Sequence, residues 1–192
     1  MTRSRMKRLS ILLFLFFVTT LYAASPLPQP RPATWAQPIE SRNLKNFYKL
    51  DERVYRSAQP DGEGFEYLKT LGIRNILNLR DYHNDDPGSK NPDMNLYRVE
   101  MDAGKIRTAD VVAALRFIKR SEGPVLIHCW HGSDRTGTIC ALYRIVFQNW
   151  SKEEALDELM HGGFGYHAIY RNIPEFIRQA DVKEIRQKVL AP

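Results

Sequence analysis

Apolar residues along the chain fall into short runs and helical spacings that alternate, and polar or Gly/Pro-rich breaks punctuate them. Asn46 to Leu50 and Arg53 to Ser57 read as two short strands around Asp51-Glu52, in hairpin arrangement. Asp61 is placed to cap a helix with Phe65, Leu68 and Leu71 on its apolar face, and Gly72 suits its stop. Ile73 to Leu79 follows as a buried strand, so this strand-helix-strand unit predicts parallel pairing. Tyr82 to Pro92 is polar. It contains His83, Asp85 and Asp86, whose spacing fits no metal loop, and it is read as a solvated turn. Leu96 to Met101 forms a further strand ending at Asp102-Ala103-Gly104.

Thr108 is expected to cap a helix with Val111, Leu115 and Ile118 on one face, broken at Gly123-Pro124. A strand from Val125 then leads through a tight loop into a helix starting near Thr136, with Ile139, Leu142, Tyr143, Val146 and Phe147 at helical spacing. Ser151-Lys152-Glu153-Glu154 is a capping box for the next helix, which carries Ala155, Leu156, Leu159 and Met160 and stops at Gly162-Gly163. A last helix is expected from about Ile173, with Pro174 in its first turn. The alternation predicts an α/β fold: a central, mostly parallel sheet flanked by helices on both faces, with ligands bound at the carboxyl ends of its strands.

The first 24 residues stand outside this pattern. A basic start precedes Ile11 to Val18, and small residues surround Ala23 and Ala24, as in a secretory signal peptide. The segment predicts export to a bacterial periplasm, the alternative being an uncleaved inner-membrane anchor facing that compartment. Residues 25–38 carry Pro26, Pro28, Pro30, Pro32 and Pro38 and read as an extended spacer, which puts the folded domain at 39–192. Charge adds little. The formal net charge is +6, but without Arg3, Arg5, Lys7 and Arg8 only 24 basic residues face 22 acidic ones, which is no nucleic-acid footprint. Two cysteines, Cys129 and Cys140, are too few for a disulfide scaffold. Cys140 reads as a small core residue.

The candidate chemistry lies in Val125-Leu126-Ile127-His128-Cys129-Trp130-His131-Gly132-Ser133-Asp134-Arg135-Thr136-Gly137. Backbone N–H groups of the loop and helix start converge where the helix dipole favours negative charge. Arg135 supplies a planar fork for a tetrahedral oxyanion, and a cysteine in such a cradle is stabilised as a thiolate. Trp130, His131, Gly132, Ser133, Asp134, Arg135 and Thr136 are therefore the candidate binding residues, and Cys129 is the candidate nucleophile. Gly132 permits the turn, and the Thr136 hydroxyl is placed to donate to the Cys129 sulfur. For the acid that protonates a departing oxygen, Glu100, Asp102 and Asp110 lie between strand and helix. Asp102, at a strand end beside Gly104, is the best placed.

These residues resemble the cysteine-dependent protein tyrosine phosphatase superfamily, marked by His-Cys-x5-Arg-Ser/Thr. Val54-Tyr55-Arg56-Ser57-Ala58-Gln59-Pro60 and Gly72 to Arg80 narrow the likeness to the compact dual-specificity type. The export signal, Trp35-Ala36-Gln37 and Gly162-Gly163-Phe164-Gly165 make the chain similar to periplasmic TpbA-type bacterial tyrosine phosphatases. No Trp-Pro-Asp acid loop is present. The resemblance implies metal- and cofactor-independent hydrolysis of phosphotyrosine, and of phosphoserine or phosphothreonine, in a protein partner. It also implies a bracing role for His128 and an acid at the place of Asp102. The loop interior holds one acid and no permanent cation, which disfavours a polyphosphorylated metabolite such as an inositol phosphate. A rhodanese-like sulfurtransferase typically has a loop one residue shorter, and a phosphotyrosine-binding pseudophosphatase typically lacks one of the three reacting groups.

Overall fold

Valine, leucine and isoleucine fill the strand at the centre of this fold, and its four residues are all buried. The computed structural model describes residues 30–85 and 93–191. Among them, six strands form one sheet: β1 (Gln37–Pro38), β2 (Tyr48–Lys49), β3 (Val54–Ser57), β4 (Asn75–Asn78), β5 (Asn95–Arg98) and β6 (Val125–His128), in the spatial order β1-β2-β3-β6-β4-β5. β3, β6, β4 and β5 run parallel, and β1 and β2 extend the β3 edge antiparallel. The expected hairpin is therefore present as β2–β3. The expected direct pairing of β3 with β4 is not: β6 lies between them, with Ser57 and Asn78 both in register with His128. Apolar on both faces, β6 suits a central parallel position, whereas a local strand-helix-strand reading does not reveal a strand inserted from 50 residues later.

Among the described residues the helices are α1 (Gly62–Thr70), α2 (Thr108–Arg120), α3 (Asp134–Gln148), α4 (Lys152–His161), α5 (Asn172–Gln179) and α6 (Val182–Leu190). Alternation along the strands sorts the core into two layers. Leu126 and Ile76 pack with Phe65 and Leu68 of α1 and with Leu44 and Phe47. Val125, Ile127 and Leu77 pack on the other face with residues of α2 to α6. Both faces of the sheet are thus covered.

Local signals behave unevenly. Asp61 accepts from Gly64 N at 2.8 Å and caps α1, but Leu71 ends that helix half-exposed instead of joining its buried face. Thr108 opens α2 without capping it. Arg107 holds the cap position, and its guanidinium grips Asp110 at 2.7 and 2.8 Å. The Ser151–Glu154 capping box forms as expected. The last helical stretch is split at Ala180, because Asp181 caps a separate α6 by accepting from Glu184 N at 2.9 Å.

The spacer reading is corrected for residues 31–38. Arg31 opens the compact unit that holds all these elements. It donates to Gly162 O at 2.7 Å and Ala36 O at 2.7 Å, Ala36 is fully buried, and Ala36 N donates to Glu158. Glu158 is itself in a buried bidentate pair with Arg144, both bonds at 2.9 Å. The proposed signal segment 1–24, residues 25–29 and Asp86 lie outside the described residues. Among the described residues no helix is long and apolar enough to cross a membrane.

Candidate active site

β6 delivers Cys129 at the carboxyl edge of the sheet, and the loop that follows turns sharply into α3. The turn depends on Gly132, with φ of 73°, a conformation that side chains disfavour; a Cβ there would collide with the Ser57 carbonyl. Three loop carbonyls are held from outside, and the fourth by the helix that follows. Trp130 O accepts from Gln59 N at 3.0 Å, His131 O from Asn46 Nδ2 at 2.8 Å, Gly132 O from Arg56 Nη2 at 2.6 Å, and Ser133 O from Gly137 N at 2.8 Å. Outside the regular elements, no backbone hydrogen bond among the described residues takes its N–H from Trp130 to Thr136. With carbonyls pinned outward and α3 beginning at Asp134, the loop presents donors at a helix N-terminus, which is an anion cradle.

Two side chains expected in the cradle are turned away from it. Ser133 Oγ donates to Phe164 O at 2.7 Å. The Asp134 carboxylate accepts from His167 N at 2.9 Å and faces His167 Nδ1 at 2.8 Å. These residues contribute through their backbone, because their side chains anchor the loop to the 164–167 segment. The bond expected from Thr136 to sulfur is not formed here: Thr136 Oγ1 is buried and has no partner among the described residues. Cys129 and Cys140 are both free thiols, 2% exposed. Burial pushes the Cys140 thiol up to about 11, in keeping with an inert core residue.

His128 braces the loop, and its partner is one that the sequence reading placed in a solvated turn. His128 is fully buried, with Nδ1 3.3 Å from Cys129 O and Nε2 2.9 Å from Asp85 Oδ2. Asp85 is only 2% exposed and also accepts from Gln59 Nε2 at 2.9 Å. Burial by itself would raise its carboxyl, yet the bond and charge of His128 together with the Gln59 bond outweigh that and hold it below the ordinary carboxylate range. The signal available in the sequence was a carboxylate near a strand end; its partner lies 43 residues away.

Arg135 donates from Nη1 to Asp81 Oδ1 at 3.0 Å and to Met101 O at 3.3 Å. Both bonds use the same nitrogen, so Nε and Nη2 remain for a bidentate grip on an oxyanion. Asp81 was not singled out by sequence. Arg80 lies across Trp130, 4.1 Å from the ring centroid, and its pKa is lowered by burial and by the charge of Arg135. The two guanidiniums share the cleft with Asp81, which already pairs with Arg135. Above the loop opens a cleft of ≈ 500 Å³ with Tyr82, Trp130, Ile169 and Tyr170 at its rim and Arg80 and Arg135 on its wall. Tyr82, Trp130 and Ile169 are 94, 54 and 84% exposed, apolar surface gathered where a ligand would enter.

Asp102 lies on the turn after β5, next to Met101, and lines an adjoining hollow with Asp81 and Tyr82. Its Oδ1 accepts from Gly104 N at 2.8 Å. The two competing carboxylates are committed elsewhere: Glu100 pairs with Arg98, and Asp110 with Arg107. Among the described residues no cluster of His, Cys, Asp or Glu is arranged to hold a metal ion.

Comparison with known proteins agrees with this geometry. Residues 43–189 match the tyrosine phosphatase family. The chain is 34% identical over 169 residues to the dual specificity protein phosphatase TpbA of Pseudomonas aeruginosa, covering 86% of this chain and 75% of that protein. It is 31% identical over 152 residues to the inositol diphosphatase DSP5 of Arabidopsis thaliana, covering 74% and 72%. A crystal structure of a cysteine-to-serine variant of P. aeruginosa TpbA in complex with pTyr superposes with a TM-score of 0.75 at 32% identity, over 85% of this chain and 100% of that one. The chain belongs to the tyrosine phosphatase family and is a phosphoric monoester hydrolase.

Proposed function

We propose that this chain is an exported protein phosphatase that hydrolyses phosphotyrosine, and phosphoserine or phosphothreonine with it, through a phosphocysteine intermediate. The observation that carries the reading is the loop beside Cys129 whose Trp130, His131 and Gly132 carbonyls are bonded outward, closed by an arginine with two donors unused among the described residues. Cys129 thiolate attacks phosphorus while the bond to the ester oxygen breaks. Asp102 protonates that oxygen, as the one sequence candidate not committed to an ion pair among the described residues. In the second half, Asp102 carboxylate takes a proton from water as the water oxygen bonds phosphorus and the thiolate leaves. Arg135 and the loop N–H groups hold the equatorial oxygens as charge builds on them. His128 positions Cys129 by its bond to the Cys129 carbonyl and transfers no proton. The Thr136 hydroxyl, without a partner here, is free to turn towards the departing sulfur.

Backbone atoms and Arg135 form the phosphate seat, and an aromatic rim surrounds it, which suits one aryl phosphate on a protein. The second reading, a phosphorylated inositol, is favoured by relatives such as DSP5, while the loop interior here supplies no lysine or arginine. The basic-then-apolar start of the chain supports a periplasmic location, free or anchored in the inner membrane; cell fractionation distinguishes these, and a cytoplasmic pool would refute export. Phosphate release under reducing conditions, measured on phosphotyrosine peptides and on inositol phosphates with Cys129→Ser as control, tests the substrate. Preference for the peptides is expected, and preference for the inositol compounds would overturn the proposal.

A further inference from the structure

Beneath the cradle lies a charge that the mechanism above does not use. Arg56, in β3, is only 1% exposed. Its Nη2 donates to the Gly132 carbonyl at 2.6 Å, and its Nε is buried without a partner. Its guanidinium carbon stands 3.6 Å from the centroid of the Phe164 ring, and Arg31 approaches the same ring at 5.2 Å. Cation–π contact and one carbonyl compensate a buried guanidinium only in part; an ion of that kind normally has a carboxylate. Among the described residues Arg56 has none. The candidates nearby are accounted for. Glu158 is held by both bonds of Arg144 and by Ala36 N. Cys140, raised by burial, is a neutral thiol. A Cβ on Gly137, in the first turn of α3, would sit 3.7 Å from Arg56 Nη2, so this charge lies against both the loop and the helix start that form the cradle.

We propose that Arg56 is a positioning residue whose counter-charge is the anion of the cradle itself: the Cys129 thiolate in the free enzyme and the phosphoryl group in the complex. The same guanidinium fixes the Gly132 carbonyl outward, which keeps the loop N–H groups facing in. Phe164 serves as its platform, and its carbonyl accepts from Ser133 Oγ and Asn46 Nδ2, so one residue supports both the loop and the arginine beneath it. The inference rests on the phosphatase reading only for the phosphoryl ligand; the thiolate half holds for any anion-cradle cysteine.

Two variants separate charge from hydrogen bond. Arg56→Gln removes the charge and, its amide ending two bonds short of Nη2, the hydrogen bond to Gly132 O with it, whereas Arg56→Lys keeps the charge and removes the fork. The thiol pKa of Cys129 is read from the pH dependence of iodoacetamide alkylation, with Cys129→Ser as blank, and phosphate affinity from the melting shift with inorganic phosphate. Arg56→Gln is expected to raise the thiol midpoint by about half to one pH unit and to weaken phosphate about tenfold. Arg56→Lys should leave the midpoint within about 0.3 units while lowering kcat. Unchanged midpoint and phosphate affinity in a folded Arg56→Gln, or an equal midpoint shift in both variants, would overturn the proposal. Should Arg56→Gln melt too low to assay, its melting loss is compared in the Cys129→Ser background. The loss should be smaller there, because the counter-charge is already gone, and equal losses would overturn the proposal. Altered thiol titration with no turnover of any phosphate ester would sink the function and leave this inference standing.

Discussion

Removing the Asp85 carboxylate should loosen the nucleophile loop from a place that never touches substrate. Asp85 is buried and holds two donors, His128 Nε2 and Gln59 Nε2, both at 2.9 Å. Asp85→Ala strands a buried imidazole and an amide, and breaking a buried charged pair from one side costs about 3–5 kcal/mol. For a domain of this size, each kcal/mol lowers Tm by roughly 2–4 °C, so a fall of roughly 6–20 °C is expected. Asp85→Asn keeps an acceptor for His128 and trades a charge-assisted bond for a neutral one, at about 1–2 kcal/mol. The sign with pH follows from the depressed carboxyl of the folded state. Its stabilisation is complete above the ordinary carboxylate value near 4 and is lost as pH falls through the lower folded value. Melting of wild type should therefore approach that of Asp85→Asn in acid and separate from it at neutral pH. Because His128 also contacts the Cys129 carbonyl, kcat/KM of Asp85→Ala should drop about ten- to a hundredfold. Melting within 2 °C of wild type and kcat/KM within about twofold would refute the bracing role.

Other positions give sharper, narrower outcomes. Gly132→Ala should fold poorly or lose phosphate binding: the positive φ costs about 1–2 kcal/mol, before counting the collision of its Cβ with the Ser57 carbonyl, and isothermal titration with phosphate reads it. Asp102→Asn should slow phosphate monoesters most when the leaving group is poor and should flatten the alkaline limb of the pH–rate profile; an intact limb with a crippled Asp81→Asn would move the acid to Asp81. Arg144→Met leaves Glu158 buried and unpaired, so urea unfolding should show a loss of about 3–5 kcal/mol and greater proteolysis near Ala36.

What could be read from sequence was what short-range chemistry determines. The strand-loop-helix around Cys129, the Asp61 cap and the Ser151 capping box depend on residues within a few positions of one another. The Asp181 cap is equally local, but the last apolar spacing runs continuously across it and hides the break. Long-range pairing was not legible. β6 enters between β3 and β4, although neither flanking sequence announces a missing neighbour. Asp85 looked like a solvent residue because Asp86-Pro87-Gly88 follows it, and only His128 makes it a core ion. Prolines made residues 31–38 look like spacer, yet Arg31 and Ala36 bind partners more than 120 residues away. The candidate site divides the same way. Cys129, Arg135 and the turn at Gly132 follow from the motif, while the outward commitments of Ser133 and Asp134 depend on a segment thirty residues downstream.

The central claim, that Cys129 in the Arg135 cradle is the nucleophile of phosphate monoester hydrolysis, is tested most directly by trapping the intermediate. The chain carrying Asp102→Asn, reduced and mixed with 4-nitrophenyl phosphate, would be acid-quenched within milliseconds and analysed by peptide mass spectrometry. One phosphoryl group per chain, on Cys129 and formed in step with the burst of 4-nitrophenol, is the predicted result. Phosphoryl transfer to another residue, or a burst with Cys129 unmodified, would contradict the account.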